Sequence, residues 1–108
     1  MGAVSGACAM DANRVRLGRE AARLAQRALD TRRSLPPSRR YGTPSGLAQA
    51  RRIARGEPVD AARTRAFLAR FRPIYLREYR KGHRSPETSK AVGAWWLWGG
   101  NPAWAKLR

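Results

Sequence analysis

Ser89-Lys90-Ala91-Val92-Gly93-Ala94-Trp95-Trp96-Leu97-Trp98-Gly99-Gly100 is the stretch from which the fold follows. Three indoles in four positions, closed by a glycine pair, describe a short helix that is apolar nearly all round. On helical geometry Trp95 and Trp98 share a stripe with Ala91, while Val92 and Trp96 point to a neighbouring face. An element of this kind is either buried or covered by a partner. Three roles are therefore open to Trp95, Trp96, Trp98 and the nearby Trp104. They can form the core of a domain poor in Ile, Val and Leu, stack on bases, or make a docking patch for a protein.

The flanking residues punctuate this helix. Ser85-Pro86-Glu87 places a capping serine, a proline at the first helical position and a carboxylate at the positive dipole end. Asn101-Pro102 restarts a short turn carrying Trp104 and Leu107. Upstream, Thr43-Pro44 repeats the cap-then-proline logic for a helix with Leu47, Ala50, Ile53 and Ala54 on its buried side and Gly56 as its stop. Asp60 can cap a third helix with Thr64, Phe67, Leu68 and Phe71 on one arc. Pro73 is expected to end or kink it, with Ile74, Tyr75, Leu76 and Tyr79 continuing to Gly82.

Nearer the start, residues 11 to about 33 read as a helix capped by Asp11. Leu17, Ala21, Leu24, Ala25, Ala28 and Leu29 fall on one arc, and Arg16, Arg19, Arg23 and Arg27 gather opposite within a sector of roughly 80°. The two prolines of residues 34–42 favour an extended basic connector. No strand with period-two alternation is visible. The expectation is an all-α fold: a compact bundle of about four to five short helices, with a Trp-rich C-terminal helix and an amphipathic basic helix in front. Residues 1–43 form that basic helix and its Pro-rich linker, and residues 44–108 a small helical module.

The chain has 108 residues, with 23 Lys and Arg against 7 Asp and Glu and a formal net charge of +16. A body of this size carrying that charge repels itself, and a polyanion relieves the repulsion. All but Lys81, Lys90 and Lys106 of these cations are arginine, whose planar fork grips phosphate bidentately. A GC-rich coding sequence, which enriches Arg, Ala and Gly together, explains part of that preference but not the excess of charge. The single Cys8 excludes an internal disulfide, and with His83 alone beside it there is no zinc ligand set. No cofactor or metal is implied. Met1 to Met10 lacks the basic start of a secretory signal, and no stretch approaches the roughly 20 apolar residues of a membrane span. His83 has no nucleophile or paired carboxylate at a fixed spacing, so catalysis is not expected.

The candidate nucleic-acid-binding residues are Arg16, Arg19, Arg23 and Arg27 on the first helix, Arg51, Arg52 and Arg55 at the end of the second, and Arg63 and Arg70 on the third. Arg65, Arg72, Arg77 and Arg80 extend the positive surface. A solvated face is the competing reading for each stripe, but such a face mixes signs, and only Glu20 and Asp30 lie near the first one. A helix-turn-helix reading would put Arg63 and Thr64 near a groove, with Glu57 and Pro58 in the turn.

Residues 45–105 also resemble a small module of tailed-bacteriophage gene products, found alone or appended to head-morphogenesis or protease proteins. The matching pieces are Ser45-Gly46-Leu47-Ala48-Gln49-Ala50-Arg51-Arg52-Ile53-Ala54-Arg55-Gly56, the helix from Thr64 to Arg70, and Ser89 to Gly100 with Trp104-Ala105. The Trp-x-x-Trp-Gly-Gly run at 95–100 is the specific part. This chain has Asn101-Pro102-Ala103 where the module carries an acidic residue and a Gly-rich step, and Phe71-Arg72-Pro73 where it carries a histidine. The resemblance implies a phage or prophage gene linked to the virion or its DNA, and hence a place in the host cytoplasm or the virion. The expected function is non-enzymatic binding of nucleic acid, DNA ahead of RNA, with no membrane partner. The alternatives are a virion assembly protein docking on an acidic capsid, portal or scaffold surface, and a phage inhibitor of a host nuclease or nucleoprotein complex.

Overall fold

The computed structural model describes residues 13–108, so the expected cap Asp11 and the lone Cys8 lie outside the described residues. At its centre is the indole of Trp95, fully buried, stacked on the ring of Tyr75 with centroids 4.7 Å apart. One helical turn on, Trp98 stacks on Phe67 at 4.2 Å, and Phe67 in turn on Phe71 at 5.2 Å. The helix that carries the indoles is thus pinned at two points along the helix that carries the other rings.

Among the described residues five helices build the all-α bundle: α1 Arg19–Ser34, α2 Pro44–Ala54, α3 Ala61–Arg80, α4 Lys90–Leu97 and α5 Gly100–Leu107. Three of them start as side-chain chemistry dictates. Thr43 accepts from the Gly46 N–H at 3.1 Å, Asp60 from the Arg63 N–H at 2.9 Å, and Ser89 from the Val92 N–H at 3.4 Å. Helix α1 lacks a side-chain cap and enters through Gly18 at φ 96°. Its buried positions Ala21, Ala25 and Ala28 are small, which lets the helices it covers approach closely.

The glycine pair is what that approach demands. Gly99 and Gly100 have φ of 101° and 63°, conformations that favour glycine. A Cβ on Gly99 would stand 2.6 Å from Ala103 Cβ and 3.2 Å from Leu17 Cδ1, and one on Gly100 would stand 2.7 Å from Leu24 Cδ1. The reversal between α4 and α5 and the seating of α1 over it therefore require the same two residues. Asn101, just past the reversal, accepts from Trp95 Nε1 at 3.0 Å and donates through Nδ2 to the Tyr75 hydroxyl at 3.4 Å. The polar edge of the central indole is satisfied in this way. Between α2 and α3, buried Gln49 donates to Thr64 Oγ1 at 2.8 Å, and that hydroxyl donates to the Asp60 carbonyl at 2.7 Å.

Three local expectations change and one holds. The first helix begins at Arg19 rather than near Asp11: residues Arg14–Val15 (β1) pair antiparallel with Val59–Asp60 (β2), and buried Leu17 packs beside Gly99. A two-residue ladder has no period to detect, which is why no strand was visible. Helix α3 continues past Pro73 to Arg80, in keeping with the expectation that Ile74, Tyr75, Leu76 and Tyr79 extend it. Proline removes one N–H, but Pro73 and Ala69, one turn back, are both exposed, so water can take the freed carbonyl. Helix α4 starts after Ser89, not Ser85, because Pro86 is fully buried and the Glu87 carboxylate turns to α1, accepting from Thr31 Oγ1 at 3.3 Å. The connector is not wholly extended, since Pro37–Arg39 make a single 3₁₀ turn.

Tyr41 closes the connector onto the bundle. Its hydroxyl donates to the Ala28 carbonyl at 2.5 Å, and its ring lies against the backbone of Gly93, where a Cβ would overlap it. Burial raises its phenol pKa above the ordinary value. Replacing Gly93 by Ala should therefore cost about 1–3 kcal/mol through overpacking. Urea denaturation measures this, and an unchanged midpoint would mean that the ring has room to withdraw.

Candidate polyanion-binding surface

The structure places most of the predicted arginines on three helices. Arg19, Arg23 and Arg27 follow at i, i+4 and i+8 on the outer face of α1, opposite Ala21, Ala25 and Ala28, whereas Arg16 sits on the extended run before the helix. Arg27 is held, 3.6 Å from Glu87 and 5.3 Å over the Trp96 ring. Arg51, Arg52 and Arg55 are exposed at the end of α2. On α3, Arg63 donates to Ser45 Oγ at 2.6 Å and lies 5.8 Å over Trp98, while Arg70 is exposed seven residues on, along the same side.

Folding joins some of these to residues not singled out in the sequence. Arg51 and Arg55 face Arg32 and Arg33 of α1 across a cleft of about 250 Å³. Arg32 and Arg33 stand in the last turn of α1, and only the packing of α1 against α2 brings them to this cleft. Along α3, Arg72, Arg77, Arg80 and Lys81 line a shallow groove of about 610 Å³ with Leu76 in it, and Arg72 lies 5.7 Å over Trp104.

The indoles divide into two kinds. Trp95 and Trp98 are core, whereas Trp96 and Trp104 are half-buried, each under a guanidinium. A guanidinium over a ring keeps its in-plane N–H groups available for phosphate. Thr64 is fully buried and hydrogen-bonded, so the helix-turn-helix reading, which needed it at a groove, fails.

Compensation of charge is sparse. Among the described residues four ion pairs form: Arg27–Glu87, Arg33–Asp30, Arg55–Glu57 and Lys81–Glu78. Asp60 is occupied as a helix cap. All four cations of these pairs are mostly exposed, so water and salt screen each pair and it adds little to stability. The surface can therefore give up carboxylate partners for phosphate at little cost in stability. Among the described residues no group of three His, Cys, Asp or Glu could hold a metal, and no helix is long and apolar enough to cross a membrane. No family model, curated protein or solved structure matches the chain.

Glu87 and Glu57 titrate below the ordinary carboxylate value. For Glu87 the Ser85 hydroxyl is the largest cause, followed by its own backbone N–H, with the Arg27 charge and the Thr31 hydroxyl adding to it. For Glu57 it is the hydrogen bond from Arg55. A carboxylate whose folded pKa is depressed stabilises the fold above its unfolded value and loses that contribution as pH falls through the folded one. The melting temperature should thus fall as pH drops below about 4.5, the ordinary value for Glu. In Glu87→Gln it should start lower at neutral pH and fall less on acidification, which thermal melts at pH 7 and pH 3.5 would measure.

Proposed function

We propose that the protein binds nucleic acid through its backbone phosphates and performs no chemistry on it. One observation carries this reading: of 23 cations, four are ion-paired among the described residues, and most of the rest are arginines on α1, α2 and α3 that meet no carboxylate. Arginine on rigid helices offers bidentate phosphate contacts without reading bases, so binding is largely sequence-independent. The resemblance of residues 45–105 supports a phage or prophage setting, with DNA ahead of RNA and with the host cytoplasm or the virion as the place of action.

A second reading is docking on an acidic capsid, portal or scaffold protein. It draws on Ile74 and Tyr79, exposed by 44% and 36% on the same helix as six arginines. Recovery in purified particles without affinity for free DNA would favour it.

A mobility-shift titration against duplex DNA, single-stranded DNA and RNA at two salt concentrations tests the first reading. With about six phosphates neutralised on duplex DNA, the logarithmic salt slope should be roughly −5. Changing Arg19 and Arg23 together to Glu should weaken binding by about ten-fold or more at low salt. Salt-independent binding, or none at low salt, rejects the proposal; wild-type affinity in the double variant removes α1 from the interface.

A further inference from the structure

The cleft between α1 and α2 is more enclosed than the shallow groove along α3, and it has an apolar floor. Leu29, Leu47 and Ala54 form that floor, and Arg32, Arg33, Arg51 and Arg55 stand around it. Its volume, about 250 Å³, lies just under the roughly 300 Å³ at which pockets for drug-sized ligands begin. It accommodates one monomer unit rather than a length of strand. We propose that this cleft binds a single nucleotide bearing a terminal phosphate, with the phosphate on Arg51 and Arg55 and the base on Leu29, Leu47 and Ala54. The proposal rests on the nucleic-acid reading of the surface and adds to it a discrete seat for a phosphorylated strand end.

Three features favour this occupant. The first is charge. Four guanidinium groups face two carboxylates, Asp30 paired with Arg33 and Glu57 bonded to Arg55 at 2.5 Å. The net surplus of two matches a phosphomonoester, which carries about −1.5 to −2 at neutral pH, better than the single charge of a backbone diester.

The second is preorganisation. Arg32 Nε donates to the Tyr41 carbonyl at 2.7 Å, and Arg33 and Arg55 are each tethered by their carboxylate. Each tether spends one N–H of a guanidinium that has five donors, so the group is oriented while others stay available. Arg51 is exposed and meets no carboxylate within 4 Å among the described residues, which leaves its whole fork for the ligand.

The third is a polar group suited to a base. Gln26, on the cleft wall, donates its amide Nε2 to Asp30 at 2.9 Å. That bond leaves Oε1 as an acceptor for an exocyclic amino group. A nucleotide uses the apolar floor, the phosphate grip and the edge acceptor together, whereas inorganic phosphate uses the grip alone.

The test is a titration of the full chain with adenosine monophosphate, adenosine and inorganic phosphate, followed by calorimetry and by amide chemical shifts. Duplex DNA binding is measured in parallel. The nucleotide should bind with shifts confined to the C-terminal half of α1 and to α2, and adenosine or phosphate alone should bind about ten-fold or more weakly. Arg51→Glu should weaken nucleotide binding by about ten-fold or more, while Lys106→Glu, an equal charge change on α5 outside the cleft, should leave it unchanged. A 5′-phosphorylated single strand should likewise bind more tightly than its unphosphorylated form.

Equal affinity for phosphate and the nucleotide would overturn the proposal by reducing the cleft to an anion site. Equal losses in both variants would overturn it as general electrostatics. Duplex binding at low salt with no nucleotide binding overturns the cleft and leaves the surface reading standing. Nucleotide binding without duplex affinity does the reverse.

Discussion

Trp95 on Tyr75 and Trp98 on Phe67 set the constraint on which the rest of the structure depends. A buried aromatic side chain removes about 150–250 Å² from water, worth roughly 4–6 kcal/mol at about 25 cal/mol per Å² against an extended chain. No exposed ion pair in this protein approaches that figure. Because the two stacks are one helical turn apart, they fix both the position and the rotation of α4 against α3. Everything that follows must fit this placement: the chain has to reverse at once, so Gly99 and Gly100 take positive φ, and α1 can close over the reversal only through small residues.

The same arrangement determines where the charge goes. A core of indoles, tyrosine rings, alanines and a few aliphatic side chains takes the inner faces of the helices, and the arginines take what remains. Repulsion within a body of net charge +16 is tolerated because the apolar stacks do not depend on it. Weak exposed pairs and guanidinium groups laid over Trp96 and Trp104 quiet the surface without neutralising it. Such a surface is stable alone yet ready to exchange its few carboxylate partners for phosphate. In the α1–α2 cleft this charge meets an apolar floor, so shape there adds to electrostatics.

Much of this was legible in the residues themselves. The caps Thr43 and Asp60, the stop at Gly56, the apolar arcs of α1 to α3 and the arginine stripe of Arg19, Arg23 and Arg27 are local signals, each read from spacing alone. The misplaced starts of α1 and α4 share one cause. Arg14–Val15 is extended only because Val59–Asp60 lies beside it, and Ser85–Thr88 is a turn only because Pro86 is buried and Glu87 meets α1. In both places a contact distant in the chain overrode a plausible local start.

The sequence by itself determined the class of fold, the excess of guanidinium groups and the helices that carry them, because helical periodicity and net charge are properties of short segments and of sums. It could not separate Trp95 and Trp98, which are core, from Trp96 and Trp104, which stay half in water under arginines, since all four are the same residue on neighbouring turns. Nor could it bring Arg32 and Arg33 to face Arg51 and Arg55. That meeting exists only once Ala21, Ala25 and Ala28 have seated α1 in the bundle, and helix-to-helix packing depends on side chains far apart in the chain.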